Sequence, residues 1–160
     1  MKKLGFFVIL ACVGFMSLGA ATVSVVVVEA GLPSEKGCTP SAAIWESGMM
    51  DVFYDAGHIV FNSPCFQITG VSGSLPEEVN NDFNEARTGG ADFFVLVILN
   101  HSNDKPENYK EVIIRVFRVS TGALLHETSV NGRIWGSRDD EFLAAKQNAG
   151  RLIPRFSLKD

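Results

Sequence analysis

The run Ala91-Asp92-Phe93-Phe94-Val95-Leu96-Val97-Ile98-Leu99 is apolar from Phe93 onward, with no alternation. A strand that is apolar on both sides must be covered on both faces, so the chain needs a sheet with layers above and below it. This run reads as the central strand. Val23 to Val28, a β-branched run ending in Glu29-Ala30-Gly31, reads as a second core strand.

Helical periodicity supplies the covering layers. Thr39-Pro40 marks a helix start, with Thr39 as cap and Pro40 at the first helical position, where its missing N–H costs nothing. Ala42, Trp45, Met49, Val52, Phe53 and Ala56 then recur at three- and four-residue spacing, opposite Ser47, Asp51, Tyr54 and Asp55, up to Gly57. His58 to Asn62 follows as a short strand. Ser74-Leu75-Pro76-Glu77 reads as a capping box opening a second helix, with Leu75, Val79, Phe83 and Ala86 as its core face and Gly89-Gly90 as its end. His101 to Tyr109 reads as a polar loop. Val112–Val119 and Ala123–Val130 form two strands around Ser120-Thr121-Gly122, which is hairpin chemistry. Asp139 or Asp140 caps a third helix carrying Phe142, Leu143, Ala145 and Ala149, and Pro154 blocks its continuation. The expected fold is α/β (α+β): one domain with a mixed sheet, helices packed on it, in the order β-α-β-α-β-β-β-α.

The amino terminus addresses the chain. Lys2-Lys3, the apolar stretch from Leu4, and the small residues Gly19-Ala20 have the three parts of a secretory signal, giving a signal peptide over residues 1–20 and a domain over 21–160. Cleavage is expected near Ala20 or Ala21, and the location periplasmic or secreted. Uncharged sequence continues to Val28, so an uncleaved inner-membrane anchor over residues 4–24 is the alternative. Cys12 is weighed as a lipidation site, but the chain after it stays apolar where a polar tether would be needed. Loss of Lys2 and Lys3 with the signal takes the net charge from −4 to −6. An acidic chain without a basic stripe is not built for nucleic acid, and membrane contact is expected only through the signal segment or anchor.

Cys38 and Cys65 remain as a pair in an oxidising compartment, which suggests one disulfide; two free buried thiols are the other reading. A bridge across that separation is worth about 3 to 4 kcal/mol in the loop-entropy treatment. Neither cysteine has a second Cys or His at metal-ligand spacing.

Resemblance to a known group enters with Gly90-Ala91-Asp92 leading into the apolar strand, the hairpin ending Val119-Ser120-Thr121-Gly122-Ala123-Leu124-Leu125, and a closing helix with small residues. This resembles the amino-terminal domain of TolB and the related LpoB and CsgG envelope domains, in residues over about 90–126 and in element order over most of the chain. The resemblance implies an accessory domain that docks other envelope proteins, without catalysis or cofactor. The chain departs from the group in having no propeller repeats, no long disordered tether and no recognisable pore-forming segments.

No catalytic signature is present. His58, His101 and His126 stand in no local motif, and there is no Gly-x-Ser-x-Gly elbow or His-Glu-x-x-His pair. Asp51, Asp55 and His58 could converge on a cation by spacing, but a carboxylate pair at a helix end is ordinarily a solvated face. Gly70-Val71-Ser72-Gly73-Ser74 lacks the lysine of a phosphate loop and reads as a plain connection. The remaining candidate is Arg133-Ile134-Trp135-Gly136-Ser137-Arg138, with Arg133, Trp135 and Arg138 as interface anchors or Trp135 as a platform for a sugar. The competing reading has Trp135 covering the core edge and the arginines solvated. Protein docking, small-molecule or glycan binding, and weak hydrolysis are thus the three functional readings, in that order.

Overall fold

The computed structural model describes residues 19–32, 37–71, 73–102, 105–132 and 135–156. All but the last two residues of the expected signal, together with Cys12 and Arg133, lie outside them.

Two long strands form the centre. β1 (Thr22–Ala30) pairs in parallel with β4 (Phe93–Ser102) over eight registered positions, from Val23 opposite Phe93 to Ala30 opposite Asn100. Their side chains divide by parity. Val23, Val25, Val27, Phe93, Val95, Val97 and Leu99 enter one core, and Val26, Val28, Phe94, Leu96 and Ile98 the other. Two-sided burial is why both sequences are unbroken apolar runs.

α1 (Pro40–Asp55) and α3 (Arg138–Leu152) cover the first core, and α2 (Asn80–Thr88) covers the second, where Phe83 meets Phe94 edge-on at 5.3 Å. β2 (Ile59–Asn62) and β3 (Phe66–Ile68) pair with successive parts of β1 along one edge. On the other side β5 (Lys105–Arg118) and β6 (Ala123–Asn131) add antiparallel strands, so the order is β2-β1-β4-β5-β6, with β3 beside β1. The mixed sheet and the expected sequence of elements are found, and β3 is added between β2 and α2.

Local details differ from the sequence reading. Thr39 does not cap α1 through its side chain; its N–H and hydroxyl both turn back to the carboxylate of Glu29. Ser74 does not open α2, which starts after a short 3₁₀ turn at Glu77–Val79. α3 is capped by Ser137, whose Oγ accepts the Asp140 N–H at 3.1 Å, not by Asp139 or Asp140. Leu143, expected in the core, is 54% exposed, and the helix turns inward Glu141, Ala145, Asn148, Ala149 and Leu152. The polar stretch after His101 is largely ladder and not loop, because β4 and β5 continue their pairing through Ser102 and Lys105 with register shifts.

The entry to β1 is sealed. Ala21 is fully buried, its N–H donates to His58 Nδ1 at 3.2 Å, and its carbonyl accepts the Ile59 N–H at 2.9 Å. The next amide, Thr22, donates to Asp92 Oδ2 at 2.8 Å.

Candidate functional site

Trp135 follows β6 and precedes the cap of α3. Its ring stands edge-on to Trp45, with centroids 6.5 Å apart, and is half-buried against the first core. Trp45 itself is fully buried, and its Nε1–H donates to Glu141 Oε1 at 3.1 Å, while Ser41 donates to the other oxygen of the same carboxylate at 3.1 Å. Trp135 therefore caps a tryptophan that is pinned to α3, which combines the core-edge reading with an accessible side.

That accessible side borders a cleft of about 360 Å³ between α3 and the end of β6. Val130, Trp135 and Gly136 form one wall; Asp140, Leu143, Ala144, Gln147, Asn148 and Arg151 form the other. These α3 positions recur at three and four residues, so one helix face presents them together. Arg138 is not part of it. It opens α3 as an exposed residue and borders a separate hollow with Pro40, Ala43, Ile44 and Phe142.

A second polar cluster lies at the carboxyl ends of the parallel strands. Glu29 on β1 is wholly buried, with His101 Nε2 of β4 at 3.5 Å from its Oε1 and Thr39 N–H donating to Oε2 at 3.0 Å. Burial alone would push the Glu29 carboxyl up, but hydrogen bonding from His101 and Thr39 outweighs it and holds the group below the ordinary 4.5. Beside it, the Cys38–Cys65 disulfide ties the segment before α1 to the link between β2 and β3, as expected, with Cα atoms 6.2 Å apart. Sequence reasoning did not single out Glu29. Its signal was a carboxylate placed inside a β-branched run.

The histidines do not assemble. His58 sits beside the start of β1, and His101 is eight residues into β4 from Phe93, the partner of Val23; at about 3.3 Å per residue the two lie roughly 25 Å apart. His126 is on β6 opposite Val116. Asp51 pairs with Lys146 of α3, and His58 is pushed below its ordinary 6.5 by burial, so these two side chains have separate employment. Among the described residues no group of three or more His, Cys, Asp or Glu could hold a metal ion. The glycine loop before α2 serves the sheet, since the Ser74 carbonyl accepts from Arg115 Nη1 at 3.0 Å.

The two sheet edges are unlike. β2 and β3 are short and interrupted by Ser63-Pro64-Cys65, the last of which is held by the disulfide. β6 is nine residues long, ends the sheet among the described residues, and contains no Lys, Arg or Pro. Leu124 and Leu125 on it are exposed.

No protein-family model and no curated protein matches this sequence. Among solved structures, the PelC dodecamer from Paraburkholderia phytofirmans aligns over 88% of this chain and 90% of its own, with a TM-score of 0.51 and 15% identity. This chain folds like PelC. The LpoB C-terminal domain from Escherichia coli aligns over 73% of this chain and 84% of its own, with a TM-score of 0.44 and 12% identity. TolB from Acinetobacter baumannii aligns over 82% of this chain but only 28% of its own, with a TM-score of 0.41 and 13% identity. The TolB and LpoB resemblance read from the sequence is thus met among the structural neighbours. At such identities the likeness to PelC is one of fold.

Proposed function

We propose that this chain is an exported, non-enzymatic accessory domain of the bacterial envelope that docks another envelope protein, with β6 as the docking edge and the Trp135 loop at its end. The observation that carries this reading is the contrast between the two sheet edges. An open strand edge offers a row of backbone donors and acceptors to any extended segment, and chains that avoid such pairing blunt the edge with lysine, proline or very short strands. The β2 and β3 edge is blunted in that way. The β6 edge is long, carries none of those residues, and adds two exposed leucines. The occupant that fits is an extended strand of the partner, held by main-chain hydrogen bonds with apolar side chains against Leu124 and Leu125. PelC, the neighbour of similar fold, is a dodecamer, which supports reading this surface as one for protein association.

The test uses tagged full-length chain, gently solubilised envelopes of its source cell, and mass spectrometry of bait and prey. A stoichiometric envelope protein captured by the wild type and lost from the Leu124→Lys/Leu125→Lys double variant is expected, with thermal stability unchanged within about 0.5 kcal/mol. Capture of the same protein in the same amount by both forms defeats the β6 assignment. Trp135→Ala that keeps the fold and every association removes the loop from the interface. A light-scattering mass that is a multiple of the processed chain's own mass, without a second protein, assigns the edge to further copies of the chain.

A further inference from the structure

Gly132 donates its N–H to the Lys110 carbonyl at 2.9 Å, which fixes the phase of the β5–β6 ladder. Antiparallel pairing alternates bonded with unbonded pairs, so Val130 and Thr128 bond to β5 while Glu127, Ser129 and Asn131 turn their N–H and C=O groups outward. A strand added there pairs with these three, and its side chains fall alternately on the two faces of the sheet. The faces differ. His126, Thr128 and Val130 are half-buried, whereas Glu127, Ser129 and Asn131 are exposed. On the first face α3 starts beyond the end of β6 and returns to the end of the sheet where β4 begins, with Phe156 against Phe93 at 5.1 Å. The α3 wall of the Trp135 cleft runs from Asp140 to Arg151, about 16 Å of helix, but the wall opposite is Val130, Trp135 and Gly136 alone. The cleft is thus a groove missing most of one wall, and a strand beside β6 supplies it. Its apolar end is Val130, Trp135 and Leu143, and its one carboxylate and one guanidinium balance. On the second face the exposed charge is negative. Arg115 is 7% exposed and lies 2.6 Å from Glu127, which is 47% exposed, and Glu111 is held by two neutral donors, Asn100 Nδ2 at 3.1 Å and Ser129 Oγ at 3.0 Å.

We propose, taking β6 as the docking edge, that the partner's strand alternates apolar with basic residues. Its apolar side chains enter the groove beside α3, a large one opposite Val130 against Trp135 and Leu143. Its lysine or arginine side chains lie on the other face against Glu111 and Glu127. Main-chain pairing then supplies affinity and the two sets of side chains supply specificity. The helical wall matches about five residues of strand at about 3.3 Å each. The chain's net negative charge draws a basic segment toward this edge.

The probe is the capped peptide Lys-Val-Lys-Phe-Lys-Val-Lys, titrated at low salt into protein recovered from full-length expression and followed by amide and tryptophan side-chain NMR shifts. Three peptides serve as comparisons: one with glutamate for every lysine, one with alanine for phenylalanine, and one of the same composition in block order. Shifts at Glu127–Asn131 and along α3 from Leu143 to Arg151 are expected. The glutamate peptide should bind about tenfold more weakly or worse, and the alanine and block-order peptides about fivefold more weakly or worse. Ala144→Trp, at a half-buried position on the groove wall, fills the groove and should weaken the parent peptide about fivefold without moving the melting temperature. Equal binding of the alternating and block-order peptides reduces the effect to net charge and overturns the proposal. Shifts on β6 with none on α3, or an Ala144→Trp variant that binds as wild type, remove the groove from the interface. The capture experiment on the Leu124/Leu125 variant decides the edge separately. A partner captured there, with no peptide response at millimolar concentration, overturns the partner chemistry and leaves the docking edge standing.

Discussion

Glu29 shows how a single residue can be misread from its neighbours in sequence. It closes a run of valines and looks like the polar end of a strand, yet it is buried at the top of β1 where Thr39 and His101 converge on it. Neither partner is near enough in sequence to announce the contact; His101 reaches it only because β1 and β4 pair in parallel. The sign of its pH effect follows from its lowered titration. In the unfolded chain the carboxyl returns to about 4.5, so its contribution is complete above that pH and is lost as pH falls through the lower folded value. Urea unfolding should find Glu29→Gln less stable by about 1–3 kcal/mol at pH 7, the cost of weakening a buried hydrogen-bonded group. The gap from wild type should close as pH drops below 4.5. A constant gap across that range would rule out this role.

At the scale of elements, periodicity revealed most of the architecture because burial imposes it directly. Phe93–Leu99 and Val23–Val28 are apolar on both faces, and α1 alternates its stripe with a solvated side, so these were legible. β3 was not, since Phe66–Ile68 is too short to show any period. The outer part of the β4–β5 ladder was hidden for a different reason: it is held by backbone pairing, which needs no apolar side chains. The orientation of α3 was misjudged at Leu143 because small residues, Ala145 and Ala149, make up much of its buried side, and small residues give weak hydrophobic signals; Ala145 is the one that meets α1. That contact rests on Gly48. A Cβ there would lie 2.7 Å from Ala145 Cβ and 3.3 Å from the Phe142 carbonyl, so α1 and α3 approach as closely as they do only because Gly48 has no side chain. Gly48→Ala therefore forces the helices apart despite its better helix propensity. Thermal unfolding should show a loss of about 1–3 kcal/mol, the usual cost of overpacking. A stabilised variant would mean that the two helices slide freely.

Considered whole, the described part of the molecule has one closed side and one open side. The disulfide and Pro64 finish the sheet at β2 and β3, and β6 leaves it unfinished, a difference invisible in sequence because edge position is set by topology alone. The Trp135 cleft was legible only in its tryptophan; its helical wall, Asn148 included, belongs to residues that look like an ordinary polar helix face. The seal around Ala21 bears on how the chain is born. Removing a leader after Ala20 would turn the buried Ala21 amide into a terminal amine facing His58, and removal after Ala21 would delete a core residue and its bond to Ile59. A cut after Gly19 costs neither, and Ser17-Leu18-Gly19 offers small residues at the two positions that an export peptidase inspects. If the proposed signal is removed, intact mass spectrometry of the mature protein should therefore find Ala20 first; a chain beginning at Ala21 or Thr22 would refute this. The fold would then be the ruler against which its own maturation is measured, with the first strand dictating where the newborn chain is trimmed.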